Sequence, residues 1–311
     1  MNERAMILAS FAADALALGG HWVYNAAVIE KKYGILDRYE PPLGRSYHPT
    51  KQRGDFTHYG DQMLLLLEDL AVTRGFALDH FAGSWRSFFS SYDGYFDHAT
   101  KDTLENFKHG ATPRESGSHS TDLGGAARIC PILYFYRGSQ GGWLPAVRAQ
   151  TAMTHNHEDV VKSAIFFSDV TRRVLAGQSP SAAVLEVVQS CQGQENIISW
   201  VNRGRESLDA DTRQAIAGFG QQCATAAAFP GVIHLVLKYE NDLKTALVEN
   251  VMAGGDSAAR GMMTGMILGA HTGMEGIPGH WLSQLRAWER ITGLLDQIDA
   301  MNDRGAPKLL S

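Results

Sequence analysis

Apolar positions recur at helical spacing along most of the chain, and alternating strand-like runs are scarce. Gln62 to Val72 is leucine-rich, with Glu68 and Asp69 on the wet side, and Asp79 to Ser91 places Phe81, Trp85, Phe88 and Phe89 on one helical face. The same period predicts helices over Leu123 to Tyr136, Asn156 to Ala176, Ser181 to Ser190, Ala224 to Lys238, Asn241 to Met252, Asp256 to Thr272 and His280 to Met301. Start and stop signals agree in several places. Asn156 with Asp159 has the form of a capping box, Ser179-Pro180 opens one helix, and Gly177 closes the one before it. The expected fold class is all-α, a compact multi-helix bundle. With no linker or internal repeat in view, residues 1–311 read as one domain. Two segments fall outside the pattern, Tyr39 to Asp55 and His109 to Ser120. Loops of that length inside a compact domain often cover a site.

One stretch combines periodicity with chemistry. Ala253-Gly254-Gly255-Asp256 leads into a helix with Gly261, Gly265 and Gly269 at i, i+4 and i+8. Glycines so spaced form a flat stripe on one face. Each costs roughly 1 kcal/mol against alanine in a helix interior. The stripe therefore predicts a second backbone packed close against it, with Asp256 as N-cap or as a carboxylate held on a rigid support.

Composition narrows the function classes. The 311 residues are 44% hydrophobic and 20% charged, with a net charge of −5. No basic block supports nucleic-acid binding. No apolar run approaches the ~18 residues of a membrane helix, and Ala5 to Ala13, followed directly by Asp14, reads as the first helix of the fold. Cys130, Cys191 and Cys223 are odd in number and far apart, as expected of reduced thiols in a cytoplasmic protein.

The motifs occur in an order that resembles the ADP-ribosylglycohydrolase family. Asp14-Ala15-Leu16 resembles its Gly-Asp-Ala-Leu-Gly start. Thr154-His155 resembles its mid-chain Thr-His element, and Cys223-Ala224 to Phe229-Pro230-Gly231 the approach to its C-terminal motif. Gly254-Gly255-Asp256 with the glycine-striped helix resembles that motif itself. The resemblance implies an all-α fold, hydrolysis or binding of an ADP-ribosyl or related ribosyl adduct, and two divalent metals such as Mg²⁺. In the family those metals are held by two carboxylates and a threonine of the C-terminal motif and by a Thr-Asp-Asp triplet. Here Ala258 and Ala259 stand where the second Asp and the Thr belong, and Tyr59-Gly60-Asp61 aligns with the triplet. Two carboxylates rarely supply the oxygen ligands Mg²⁺ requires, so no metal is expected; Asp61 and Asp256 would be its ligands if one bound. His21-Trp22 resembles a subset with degenerate metal motifs that includes the jellyfish lens J1 crystallins. The candidate catalytic residues are Asp97, Asp61 and Asp256, with Asp93 as second choice to Asp97. The candidate ligand contacts are His21, Trp22, His155 and Arg260. Arg260, one turn after Asp256, either neutralises it in an internal salt bridge or meets a ligand phosphate. A catalytically inactive structural or ligand-binding member, and a metal-independent glycosidase on another small ligand, are the alternatives.

Overall fold

The computed structural model describes residues 2–44, 46–139 and 141–302. Helices follow one another as α1 (Asn2–Ala17), α2 (Ala26–Tyr33), α3 (His58–Thr73), α4 (Leu78–Ser90), α5 (His98–Lys108), α6 (Gly124–Ala127), α7 (Cys130–Phe135), α8 (Trp143–Ala152) and α9 (Glu158–Leu175). They continue as α10 (Pro180–Gln189), α11 (Glu195–Glu206), α12 (Thr212–Phe219), α13 (Thr225–Lys238), α14 (Leu243–Met252), α15 (Ser257–Thr272), α16 (Gly279–Ser283) and α17 (Trp288–Asn302). Among the described residues there is no strand, only the isolated bridges Ser118–His155 and Asp122–Ala224. The fold is all-α. No helix among them is long and apolar enough to cross a membrane.

The architecture is built around α15, which is buried from Ser257 to Ala270. A helix apolar on all sides belongs in the centre of a core, and α1, α9, α13 and α14 surround it. The glycine stripe faces α1. A Cβ on Gly265 would lie 2.6 Å from the Ala9 carbonyl oxygen, and one on Gly269 2.6 Å from that of Ala5. Gly261 faces Asn250 and Ala13. The pairing Ala13–Gly261, Ala9–Gly265, Ala5–Gly269 runs in opposite chain directions, so the two helices are antiparallel with backbones nearly touching.

Some boundaries depart from the periodic reading. Leu123 to Tyr136 is two short helices, broken at Arg128-Ile129. Pro131 has no N–H and fits only the first turn of the second piece, α7. His280 to Met301 is likewise split. Between its pieces Arg286 N–H donates to Gly54 O at 3.1 Å, tying the break to the irregular segment around residue 50. Helix α9 begins after His157, whose Nδ1 accepts from Asp159 N–H, so the capping box at Asn156 does not form. Among the described residues of Tyr39 to Asp55 there is no helix, as expected. The segment's far end is pinned by Thr57, N-cap of α3, whose backbone N–H and Oγ1 both donate to Asp14 at 2.7 and 2.6 Å. Gly60 is required there, since a Cβ would lie 2.3 Å from the Asp14 carboxylate.

Candidate functional site

Three chain segments converge at the N-terminus of α15. The Gly254-Gly255 turn has both φ angles positive, at 72° and 68°, a conformation glycine adopts without steric cost. It is paired to residues 22–23 by two backbone bonds, Trp22 N–H to Gly255 O and Gly255 N–H to Val23 O, each 2.9 Å. This pairing holds Trp22 at φ 60°, a strained value for a side chain of its size. It also sets His21 against Asp256. His21 Nε2 lies 3.1 Å from Asp256 Oδ1, Tyr59 Oη donates to Oδ2 at 3.1 Å, and Ala259 N–H caps Oδ1 at 3.2 Å. Burial raises the carboxyl's pKa, but the His21 hydrogen bond and the Ala259 N–H outweigh it, and the net shift is downward.

A carboxylate only accepts hydrogen bonds, and this fixes the protons behind it. His21 donates through Nε2, so its Nδ1 accepts from His48 Nε2 at 2.8 Å. His48 Nδ1 is then a buried acceptor without a partner. Burial lowers the pKa of both imidazoles and keeps them neutral.

The second carboxylate of the chamber is Asp97. As N-cap of α5 it accepts from Thr100 N–H at 2.6 Å, and its Oδ2 lies 3.2 Å from His58 Nε2. Burial pushes its pKa up, yet His58, His155 and the Thr100 N–H together hold it well below the usual carboxylate range. Asp97 is therefore a cap and an ionised site carboxylate at once. Asp122 and the Cys223 thiol act electrostatically on the same group of aspartates; burial and the neighbouring Asp256 and Asp122 push the thiol well above its usual range, so it is not a nucleophile at neutral pH. Trp22 forms the wall. It stacks on His21 at 4.1 Å and meets Tyr47 and Tyr95 edge-on at 5.1 and 4.9 Å. Two surface depressions of about 640 and 390 Å³ flank the segment carrying Asp97, one lined by His98, Ser118, His119 and Asp122, the other by Tyr47, Tyr95 and Lys101. A third, of about 630 Å³ over Val161, Phe166 and Cys191, is built from other residues.

Two residues are placed differently from the sequence expectation. Asp61 does not contact Asp256: it is paired with Lys51 and accepts from Tyr92 Oη at 2.5 Å. The side chain of the α3 first turn that reaches Asp256 is Tyr59. Arg260 makes no salt bridge with Asp256. Its guanidinium donates to Asn250 Oδ1, Asn250 O and Gly254 O at 2.8, 3.1 and 2.9 Å, closing the end of α14 and bracing the glycine turn. Helix geometry explains the difference: the carbonyls left free at the C-terminal end of α14 and in the turn after it, with the Asn250 amide oxygen, take two of the three guanidinium nitrogens. His155 lies buried beside Thr154, with Nδ1 3.0 Å from Thr154 Oγ1. Tyr59, His58, His48 and Arg128 were not expected. Only Tyr59, inside the segment aligned with the triplet, and His58 just before it carried a sequence signal.

An all-helical fold built on a glycine-striped central helix, with a buried aspartate at that helix's start, defines the class. The family model for ADP-ribosylglycohydrolase matches residues 3–307, and the chain belongs to that family. Among its relatives are Crystallin J1A and Crystallin J1B of Tripedalia cystophora, each 24% identical, covering 96% and 97% of this chain and 97% and 98% of the crystallins. The ADP-ribosyl-[dinitrogen reductase] glycohydrolase of Rhodospirillum rubrum is 24% identical over 58% of this chain and 57% of its own length. A solved ADP-ribosylglycohydrolase-related protein complex shares the fold, with a TM-score of 0.76 at 19% identity over 96% of this chain and 97% of that one.

Proposed function

We propose that this chain binds an ADP-ribosyl or related ribosyl adduct between the Trp22 wall and the Asp97 carboxylate, in a site that has exchanged the family's two-metal centre for neutral hydrogen-bond donors. One observation carries the reading. Both oxygens of Asp256 are taken by donors, His21 Nε2 on one and Tyr59 Oη on the other. With Ala259 N–H also on Oδ1, three of the carboxylate's roughly four lone-pair sites are filled by hydrogens, and a cation would have to displace them. Among the described residues no group of three or more His, Cys, Asp or Glu is arranged as a ligand set. The residues present do not fit the metal pair, and no step is assigned to it.

Hydrolysis, where it occurs, falls to Asp97. N-glycosidic cleavage develops positive charge on the sugar ring, and a carboxylate ionised at neutral pH stabilises it. His21, Trp22 and His155 are the ligand contacts; Asp256 orients His21, Arg260 braces the turn, and Asp61 is held by Lys51 and Tyr92. The crystallin relatives favour a second reading, binding without turnover. So does the state of Asp97, already engaged by Thr100 and His58. A single-domain organisation is supported by a large core cluster that draws residues from every described helix but α12, whose Ile216 packs with Leu235 and Ala253 in a small second cluster. Three unpaired cysteines fit a reducing, cytoplasmic setting.

The test is thermal unfolding with ADP-ribose, Mg²⁺ and EDTA. A ligand that binds only the folded state at 100 times its Kd stabilises by about 2.7 kcal/mol. ADP-ribose is expected to raise the Tm equally with Mg²⁺ and with EDTA. A rise that needs Mg²⁺ overturns the reading. Release of ADP-ribose from a modified peptide in EDTA, lost in Asp97→Asn, separates turnover from binding.

A further inference from the structure

Arg128 is buried and touches no carboxylate among the described residues. It sits at the break between α6 and α7, which turns its side chain inward. Its guanidinium donates to Gln62 Oε1 through one nitrogen and to Thr154 Oγ1, at 2.5 Å, through another. Gln62 cannot flip, because Oε1 also accepts from Trp85 Nε1 at 2.9 Å and Nε2 donates to His58 O at 3.1 Å.

The direction of the next bond follows. Arginine has no acceptor, so Thr154 Oγ1 accepts from it. The Thr154 hydroxyl hydrogen needs an acceptor of its own in this buried place. Within reach is His155 Nδ1, at 3.0 Å. With Nδ1 accepting, the single proton of the neutral ring lies on Nε2, and His155 Nε2 is buried without a partner. Burial, then the Arg128 charge, pushes the pKa of this imidazole down to about 3, so the ring stays neutral near pH 7. The ring is seated by backbone, since a Cβ on Gly125 would fall 2.6 Å from His155 Cγ. His155 and the Asp97 carboxylate act on each other electrostatically.

We propose that Arg128, acting through Thr154, is a positioning residue that sets His155 as an Nε2–H donor, whose unpartnered N–H is offered to a hydroxyl of the bound sugar. This donor deepens the binding reading above and rests on it for the ligand. The proton placement itself does not depend on any ligand. Asp256 and Arg128 thus polarise two histidine chains from opposite ends, one by accepting and one by donating.

The experiment is long-range ¹H–¹⁵N correlation NMR of the histidine rings in the unliganded protein near pH 7.5, with His155→Gln used for assignment. His155 is expected as the Nε2–H tautomer. Thr154→Val removes the hydroxyl and should give a tautomer mixture, while Thr154→Ser restores the wild-type pattern. An Nδ1–H ring in the wild type, or a Thr154→Val spectrum with the tautomer unchanged, overturns the proposal; should Thr154→Val not fold, the wild-type and Thr154→Ser spectra decide. ADP-ribose thermal shifts address the ligand. Gln keeps a donor near the Nε2 position, so His155→Gln should keep affinity within about threefold, whereas His155→Phe should lose at least about tenfold, or ~1.4 kcal/mol. Equal affinities in the two variants overturn the donor role. An absent ADP-ribose response in the wild type overturns the binding reading, and the tautomer still decides the inference.

Discussion

The two faces presented by α15 and its start are built on opposite principles. Along the seam with α1, Gly265 and Gly269 bring their backbone within contact of Ala9 and Ala5, and the polar exchange is confined to α1 side chains meeting α15 carbonyls, Ser10 Oγ to Met262 O at 3.1 Å and Asn2 Nδ2 to Ala270 O at 3.0 Å. At the N-terminal end, Asp256 gathers His21 and Tyr59 from far along the chain, and every contact is a directed hydrogen bond. The seam draws its strength from exclusion of volume and the chamber from satisfaction of donors. The first tolerates no added atom; the second tolerates changes of atom type that keep donor and acceptor matched.

The largest effect is expected at the seam. Gly265→Leu must separate two backbones, and urea unfolding should show a loss of about 3 kcal/mol or more, the upper end of overpacking costs. A loss below about 0.5 kcal/mol would mean that the seam opens freely. The chamber comes next. Asp256→Ala leaves His21 Nε2, Tyr59 Oη and Ala259 N–H without an acceptor and should cost about 2–3 kcal/mol. Asp256→Asn keeps one oxygen and should cost about 1 kcal/mol by the same measure. Equal costs for the two would show that the charge, and not the acceptor count, matters.

Acid should act on the chamber and leave the seam alone. His21, His48 and His155 are all lowered from 6.5 by burial. In the unfolded chain each takes a proton as pH falls through 6.5, while the folded chain does not. Their contribution is therefore complete above pH 6.5 and falls as pH drops toward 3. Asp14 opposes them. Burial lifts it from 3.8 to about 7, so its contribution is present below pH 3.8 and lost as pH rises through 7. His234, lowered by burial to about 4, joins the histidines, and Asp61, Asp122 and Glu68, raised by burial, join Asp14; the histidines, whose reference value of 6.5 lies inside the interval, leave a net loss between pH 7.5 and pH 5. The urea midpoint should be lower at pH 5 than at pH 7.5, and His155→Gln should flatten the slope. A pH-independent midpoint would contradict the buried neutral state of these rings.

The smallest effect is expected at Asp61. Its partners are Lys51 and Tyr92, outside the Asp256 hydrogen-bond group. Asp61→Asn should cost about 1 kcal/mol, near the top of the range for pairs that water still reaches. It should leave the ADP-ribose shift within about twofold. A tenfold loss of affinity would bring Asp61 back into the site.

The sequence by itself determined the all-helical class, the close approach on the Gly261-Gly265-Gly269 face and the capping role of Asp256. Each rests on residues within a few turns of one another, where helical period and glycine's missing side chain act directly. Tertiary structure alone decided which side chains meet Asp256. Residue 59 rather than 61 points at it because Asp14 holds Thr57 as the cap and sets the rotation of α3. Arg260 turns from the neighbouring carboxylate to the carbonyls past α14. His48 arrives from an irregular loop with no periodic signal, and Arg128 turns inward only because Pro131 breaks the helix the apolar pattern predicts. These choices depend on the rotation and spacing of separate elements, which for Tyr59 and Asp256 lie 197 residues apart. Hydrogen bonds demand atoms within about 3 Å, a tolerance that local patterns of apolar and polar residues do not encode.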